Sequence, residues 1–343
     1  MRVAVAMSGG TDSTATALML KKEGHDVVGV HMRLHEHSET SWESARQAAR
    51  EIAVPLEQTD VRDEFSELVI GPFVEEYARG RTPSPCPVCN RCIKMTLLLR
   101  YAASLGCEKI ATGHYARVVR GPNGPELLRA RDRKKDQSYF LFGLTGEMLQ
   151  QTLFPLGDFT KAEVRKFLKT EGISAWESAE SQELCFIPDG DYRGYLLKRG
   201  VRDLPGDIVD CSGRSLGRHA GVSGFTVGQR RGLGICGPEP SYVVRIDYET
   251  GTVVVGAKKE TYTSVLKIAS LNLLVPCRPI PGARFDVKIR STSKAVACEL
   301  IRWEGGSCEF RFDRPQSAVA PGQAAVLYSG DRVVGGGWIQ DAF

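Results

Sequence analysis

The first half of the chain alternates short apolar runs with segments of helical periodicity. Residues 3–6 and 26–32 are apolar runs typical of buried strands, and residues 14–22 between them place apolar side chains on one face of a helix. A second helix at 44–52 and a further strand at 109–111 continue the pattern. Because strands separated by helices pair in parallel, this order predicts an α/β domain that binds ligands beyond the carboxyl ends of its strands.

The pattern changes near residue 200, where helical periodicity largely stops. Short apolar segments punctuated by glycine and proline follow, among them residues 204–209 and 242–247. Beyond about Ser264 such segments recur at the spacing of a small antiparallel barrel or sandwich, at 285–290, 295–300, 309–312 and 324–328. The sequence therefore predicts an α/β domain followed by β-rich structure.

The first predicted strand ends in Ser8-Gly9-Gly10-Thr11-Asp12-Ser13. Glycines let the backbone turn tightly and approach a ligand, and the first turn of the following helix offers free N–H groups to an anion. The Gly-Lys-Ser/Thr ending of a Walker A loop is absent, as is the Rossmann fingerprint. A structural turn is the plain alternative. The pattern resembles the PP-loop of ATP pyrophosphatases, which cleave ATP between its α and β phosphates.

Composition and charge narrow the class of protein. With 42% hydrophobic and 25% charged residues, the 343-residue chain has the composition of a soluble protein of two or three domains. No run of about eighteen apolar residues occurs, and Met1-Arg2 lead directly into the first strand, so we expect a cytoplasmic location and no membrane partner. The net charge is only +4, yet residues 91–135 hold eleven Lys/Arg against three Asp/Glu. This surplus suits a phosphate backbone, with a solvated basic face as the alternative.

Ten cysteines in a large chain of this type indicate reduced thiols, metal ligands or redox chemistry. Cys86, Cys89 and Cys92 crowd a proline-rich loop, and Cys185 lies in the segment 181–187. A Cys-x-x-Cys pair fits zinc, an iron–sulfur cluster or a redox dithiol. Zinc is disfavoured because the chain has neither a second such pair nor paired histidines.

Six motifs, in order along nearly the whole chain, resemble those of the bacterial tRNA-specific 2-thiouridylases. They are Ser8-Gly-Gly-Thr-Asp-Ser13, Cys89-Asn-x-x-Ile-Lys94, Ala111-Thr-Gly-His-Tyr115, Lys135-Asp-Gln-Ser-Tyr-Phe140, Cys185-Phe-Ile187 and the glycine-rich stretch 221–234. The resemblance implies ATP-dependent 2-thiolation of the wobble uridine, U34, in the tRNAs for Lys, Glu and Gln. It also implies three domains: a PP-loop ATP-binding catalytic domain over 1–200, a small central β-rich domain over 201–263 and a C-terminal antiparallel β-barrel over 264–343.

The resemblance also implies roles for individual residues. Cys89 would be the nucleophile, Cys185 would carry the incoming sulfur as a persulfide, and the two would end the reaction as a disulfide. ATP, with Mg²⁺, would be bound by Ala6, Met7, Ser8, Gly9, Gly10, Thr11, Asp12, Ser13, Met32 and Gly113. The tRNA would touch His114, Lys135, Asp136, Gln137 and Gln323, together with a strand stretch containing Arg290, Ser291 and Thr292. The partners would be tRNA and a protein that carries the donor sulfur as a persulfide.

Cys86 departs from the family pattern, which has aspartate at this position. Thiolates from Cys86, Cys89 and Cys185 could hold a [4Fe–4S] cluster with one open iron, and Cys92 could supply a fourth ligand. The plainer interpretation keeps Cys86 as an auxiliary thiol beside a two-cysteine relay. Two other classes stay open. A PP-loop ligase of another kind would not use the thiols, and a non-catalytic tRNA-binding protein would not use the phosphate loop.

Overall fold

The computed structural model describes residues 1–178, 184–187, 189–235 and 239–343. Residues 181–183 of the predicted Cys185 segment lie outside this part of the chain, as does Cys236. The strands are β1 (Arg2–Ala6), β2 (Asp26–Arg33), β3 (Leu56–Asp60), β4 (Lys109–Ala111), β5 (Ala116–Gly121), β6 (Gly124–Arg129), β7 (Thr152–Leu153), β8 (Gly206–Asp210), β9 (Ser215–His219), β10 (Tyr242–Asp247), β11 (Thr252–Gly256), β12 (Tyr262–Leu273), β13 (Arg284–Lys288), β14 (Val296–Glu304), β15 (Ser307–Ser317), β16 (Ala324–Ser329) and β17 (Arg332–Ala342). The α-helices are α1 (Thr11–Lys22), α2 (Glu39–Glu51), α3 (Arg62–Phe65), α4 (Gly71–Ala78), α5 (Pro85–Val88), α6 (Thr96–Ser104), α7 (Gly146–Gln151), α8 (Lys161–Thr170) and α9 (Tyr192–Lys198).

The N-terminal sheet has the strand order β3-β2-β1-β4-β7, and every neighbouring pair is parallel. Alternate residues of β1 face two different cores. Val3 and Val5 pack with Leu18 of α1, whereas Ala4 packs with Ile110 of β4 on the other face. A strand buried on both faces must be apolar throughout, as β1 is. The predicted parallel α/β domain is confirmed.

Of the first two helices, one begins earlier than the apolar pattern predicts. The first, α1, begins at Thr11, directly after Gly10, whose extended backbone has φ −76° and ψ 166°. The second, α2, begins at Glu39 rather than at residue 44. Its first turns, residues 39–43, are mostly polar and so carry no apolar periodicity.

The central and C-terminal parts are β-rich, as predicted. Strands β8 to β11 form a four-stranded sheet in the order β10-β11-β8-β9, in which β11 and β8 are parallel. Strands β12 to β17 form an antiparallel sheet that closes on itself, because β12 pairs with both β15 and β17. The C-terminal part is therefore a barrel rather than a sandwich.

The hairpin of β5 and β6 joins the barrel sheet, although it lies far away in the sequence. Arg332 of β17 pairs with Leu128 of β6, and the N–H of Arg129 donates to the carbonyl of Asp331 at 2.8 Å. The barrel also shares one core with the N-terminal sheet, to which Ala4, Ile110, Leu127, Tyr139, Phe142, Val326 and Tyr328 contribute. The apolar pattern does not predict this junction. Through this shared core, the barrel packs directly against the catalytic domain.

Candidate active site

The phosphate loop between β1 and α1 is held tightly by α2. Gly9 has a positive φ of +79°, and a Cβ added there would lie 2.2 Å from the carbonyl carbon of Ser44. Only glycine fits both the backbone conformation and this contact. The N–H of Thr14 is the first of α1 to bond within the helix, to the carbonyl of Gly10 at 3.1 Å. The earlier helical N–H groups have no intrahelical acceptor, so they can receive an anion.

The remaining predicted ATP-binding residues surround this loop. Ser8 and Ser13 hold its two ends together, with their Oγ atoms 3.2 Å apart. Gly113 packs directly on the first turn of α1, where a Cβ would lie 2.9 Å from the carbonyl carbon of Asp12. Ala6 and Met32 lie at the carboxyl ends of β1 and β2 and pack against the same core. The structure therefore gathers these residues at one sheet edge.

Asp12 is held by two side chains for which the motifs gave no role. Its Oδ1 accepts a hydrogen bond from the hydroxyl of Tyr115 at 2.9 Å and another from Nζ of Lys161 at 2.6 Å. Tyr115 ends the Ala111–Tyr115 motif, and Lys161 is the first residue of α8. In the sequence, the capping box of Thr160 and Glu163 correctly predicts the start of α8, but no periodicity reveals that α8 points at the phosphate loop.

The three thiols of the predicted relay differ in burial. Cys89 begins a π-helical segment, Cys89–Met95, and is only 6% exposed in a core with Phe65 and Phe186. Cys86 and Cys185 present surface to solvent. Both lie close enough to Cys89 to act on its charge, and so does Lys94. The predicted catalytic cysteines are thus brought together from segments far apart in sequence.

Burial governs the protonation of these thiols. It raises the pKa of Cys89 to about 12, against the opposing charge of the Lys94 ammonium. Burial also raises the pKa of Cys86 and that of Cys185, and the Lys94 ammonium only partly opposes this rise. Since an unperturbed cysteine titrates near 8.5, all three are protonated at neutral pH in this state.

The arrangement of the described thiols bears on the [4Fe–4S] alternative. Within the residues that the structure describes, no three His, Cys, Asp or Glu side chains come together in a way that could hold a metal ion. The [4Fe–4S] alternative is therefore not favoured. The nine cysteines described are free thiols.

The predicted tRNA-binding residues of the N-terminal domain shape one turn. Oδ1 of Asp136 accepts from the N–H of Ala130 at 3.1 Å and from that of Ser138 at 3.2 Å. Oε1 of Gln137 accepts from the N–H of Tyr115 at 2.9 Å, which ties this turn to the partner of Asp12. Lys135 precedes them in the same turn, its N–H bonded to the carbonyl of Asp132.

His114 lies between the phosphate loop and the thiols. Its Nδ1 is 2.8 Å from the hydroxyl of Thr112, and only 9% of the residue is exposed. Burial, aided by the nearby Lys94 ammonium, lowers the pKa of His114 to about 3. The ring is therefore neutral at physiological pH, and any contact it makes with RNA would be a hydrogen bond or a stacking contact.

The predicted tRNA-binding residues of the barrel lie at its turns. Arg290, Ser291 and Thr292 were predicted in a strand, but β13 ends at Lys288 and they form the turn that follows. Nη2 of Arg290 donates to the carbonyls of Val227 at 2.9 Å and Ala318 at 3.0 Å, which joins the barrel to the central domain.

Gln323 connects the barrel to the thiol loop. Its Nε2 donates to the carbonyl of Thr82 at 2.8 Å, and the N–H of Thr82 donates to the carbonyl of Pro321 at 3.0 Å. Thr82 lies a few residues before Cys86. This turn of the barrel therefore fixes where the thiol loop begins.

A phosphate loop at the carboxyl edge of a parallel sheet, with the buried Cys89 and the exposed Cys86 and Cys185 gathered nearby, defines a PP-loop nucleotide-binding protein equipped for sulfur chemistry. Residues 1–189 match the family described as the tRNA methyl transferase HUP domain, residues 194–257 its PRC-barrel domain and residues 263–339 the aminomethyltransferase beta-barrel domain. The chain belongs to the tRNA-specific 2-thiouridylase MnmA family.

Relatives in this family match over almost their whole length. The MnmA of Syntrophotalea carbinolica is 45% identical over 98% of both chains. That of Geobacter metallireducens is 45% identical over 99% of this chain and 97% of its own. That of Acidithiobacillus ferrooxidans is 42% identical over 98% of this chain and 97% of its own.

In the described ranges, no helix combines the length and the apolar character needed to cross a membrane.

Proposed function

We propose that this chain catalyses the ATP-dependent 2-thiolation of U34 in the tRNAs for Lys, Glu and Gln. One observation carries the proposal. Gly113 packs on Asp12 of the phosphate loop, and the next residue, His114, lies beside the Lys94 ammonium that also acts on Cys89 and Cys185. Gly113 and His114 thus connect the site that would activate uracil with ATP to the site that would transfer sulfur.

The first half of the reaction belongs to the phosphate loop. The C2 carbonyl of uracil is a poor electrophile, so its oxygen first attacks the α phosphorus of ATP and pyrophosphate leaves. The free N–H groups at the start of α1 stabilise the negative charge of that leaving group. Asp12 would offer a carboxylate oxygen to Mg²⁺, which commonly binds through one or two carboxylates together with phosphates. The base must be unstacked to reach this edge of the sheet.

The second half belongs to the thiols. The terminal sulfur of a persulfide on Cys185 bonds to C2, either directly or as sulfide released when Cys89 attacks the inner sulfur. AMP then leaves with the former C2 oxygen, and a Cys89–Cys185 disulfide remains. A thiol reductant must supply two electrons to restore both thiols. Because the reacting species is the thiolate, Cys89 must lose its proton before it attacks.

The remaining roles are part of the same proposal. Phosphate contacts come from the basic stretch 91–135, and the tRNA meets His114, Lys135, Asp136, Gln137, Arg290, Ser291, Thr292 and Gln323. A persulfide carrier protein delivers sulfur to Cys185, whose exposure leaves it open to a partner. We assign the reaction to the cytoplasm.

The decisive test is AMP release. Incubation with ATP should yield AMP and pyrophosphate only when substrate tRNA is present, and omission of the sulfur donor should prevent thiolation. AMP formed equally without tRNA would point to a ligase with another acceptor. Tight tRNA binding with no AMP would point to a binding protein.

Binding of tRNA should weaken steeply with salt. Several lysine and arginine contacts to phosphates displace bound cations, so the logarithm of the affinity should fall linearly with that of the salt concentration. Filter binding between about 50 and 200 mM salt measures this dependence. We expect the affinity to fall by about tenfold or more over this range. A flat response would move the binding face away from residues 91–135.

Cys86→Asp should retain thiolation activity. The change restores the residue expected from the family pattern, and a carboxylate can occupy this exposed position, whereas it is a poor replacement for a thiolate on iron. Activity and iron content should be measured side by side on anaerobically purified protein. Joint loss of iron and activity in Cys86→Asp, with both regained on reconstitution of the parent only, would contradict the two-cysteine relay.

A further inference from the structure

Lys161 is a cation at the phosphate loop for which the motifs give no role. Its backbone is fixed, because the Thr160 and Glu163 capping box starts α8 and the N–H of Lys161 donates to Oδ2 of Asp132 at 3.0 Å. The side chain is only 12% exposed and reaches Oδ1 of Asp12 at 2.6 Å. The start of α8 therefore positions the Lys161 ammonium at the first turn of α1.

Positive charge exceeds negative charge at the start of α1. The start of α1 contributes partial positive charge from its N–H groups, Lys161 adds a full positive charge, and Asp12 supplies the opposing carboxylate. A largely buried ammonium needs a partner, which Asp12 provides. Asp12 itself is 36% exposed and is also held by Tyr115, so it remains accessible. This excess of positive charge favours binding of a polyanion.

We infer that Lys161 binds the β and γ phosphates of ATP and the departing pyrophosphate, and that its pair with Asp12 is the nucleotide-free state of the site. An ammonium is a point-charge donor suited to phosphate, and a carboxylate oxygen is a ligand that Mg²⁺ takes. When Mg²⁺ and ATP bind together, both partners exchange: Asp12 turns to the metal and Lys161 to phosphate. Neither charge is left unpaired. The inference rests on the proposed function, since pyrophosphate is the leaving group of adenylation.

Calorimetric titration of the full chain with Mg²⁺ and ATP, AMP or pyrophosphate tests this role. Lys161→Gln should raise the Kd for ATP and for pyrophosphate by about tenfold or more and leave the Kd for AMP unchanged. Lys161→Arg, which keeps the charge, should recover part of the loss. Lys166→Gln, an exposed site on the same helix, is the matched control and should change none of the three.

Unchanged ATP affinity in Lys161→Gln, or equal losses for ATP and AMP, would overturn the inference. If the parent binds ATP normally in that experiment yet thiolates no tRNA, the proposed function fails separately. The isosteric Asp12→Asn gives a test that does not depend on the folding of Lys161→Gln. It frees Lys161 and should tighten binding of pyrophosphate without Mg²⁺ several-fold, a gain that the double variant Asp12→Asn/Lys161→Gln should lose. No tightening, or a gain retained in the double variant, would also overturn it.

Discussion

Replacement of Cys89 or Cys185 by serine should abolish thiolation of tRNA and leave tRNA affinity almost unchanged. A hydroxyl can neither carry a transferable sulfur nor displace one, whereas docking relies on phosphate contacts elsewhere. Thiolated tRNA is scored by its retarded migration on a mercury-containing gel, and affinity by filter binding. Cys277→Ser, at an exposed cysteine of the barrel, is the matched control and should behave as the parent.

The two serine variants should also differ from each other. After incubation with the sulfur donor, Cys89→Ser should retain one extra sulfur atom, detected by mass spectrometry of the intact protein, because Cys185 still accepts it. Cys185→Ser should carry none. Thiolation retained in either variant, or bound sulfur that follows Cys89 instead, would contradict the assigned roles.

Asp12→Ala should lower tRNA-dependent AMP formation by about 100-fold or more. The change removes the carboxylate that Mg²⁺ would take as a ligand when it binds with ATP. It also removes the acceptor of the Tyr115 hydroxyl. The assay follows radiolabelled AMP from α-labelled ATP.

Asp63→Ala, at an exposed position of α3, controls for loss of a surface carboxylate and should keep the parental rate. Thermal melting of both variants separates a folding defect from a chemical one. Normal AMP formation by Asp12→Ala would remove Asp12 from the adenylation step.

The sequence predicts the elements of the site better than the contacts between them. The apolar run before Ser8, the glycine pair and the later strand pattern suffice to predict a parallel sheet with a phosphate loop, followed by a barrel. Local periodicity carries that information because each strand meets its own face of the core. Local periodicity does not predict the contacts of Lys161 and Tyr115 with Asp12, because these contacts depend on how α8 and the loop after β4 pack over α1.

The barrel residues show the same limit. Arg290 and Gln323 look like surface groups in the sequence, yet both donate hydrogen bonds to carbonyls of distant segments. The sequence separations are 63 and 28 residues for the two bonds of Arg290 and 241 for that of Gln323, which leaves no local pattern. Only the folded arrangement reveals that these side chains hold domains and loops in place.

The shared core of the barrel and the catalytic domain determines what a truncated chain would be. Removal of residues 264–343 would deprive the hydroxyl of Tyr139 of its acceptor, the carbonyl of Ala324 at 2.8 Å, and would leave Phe142 without the Trp338 ring beside it. It would also remove the pairing of Arg332 with Leu128 at the edge of β6, and an unpaired strand edge invites pairing with other chains. The shortened protein would therefore be an aggregation-prone fragment and not an enzyme that has merely lost an RNA-binding appendage, so in this architecture the barrel is a folding partner of the catalytic domain.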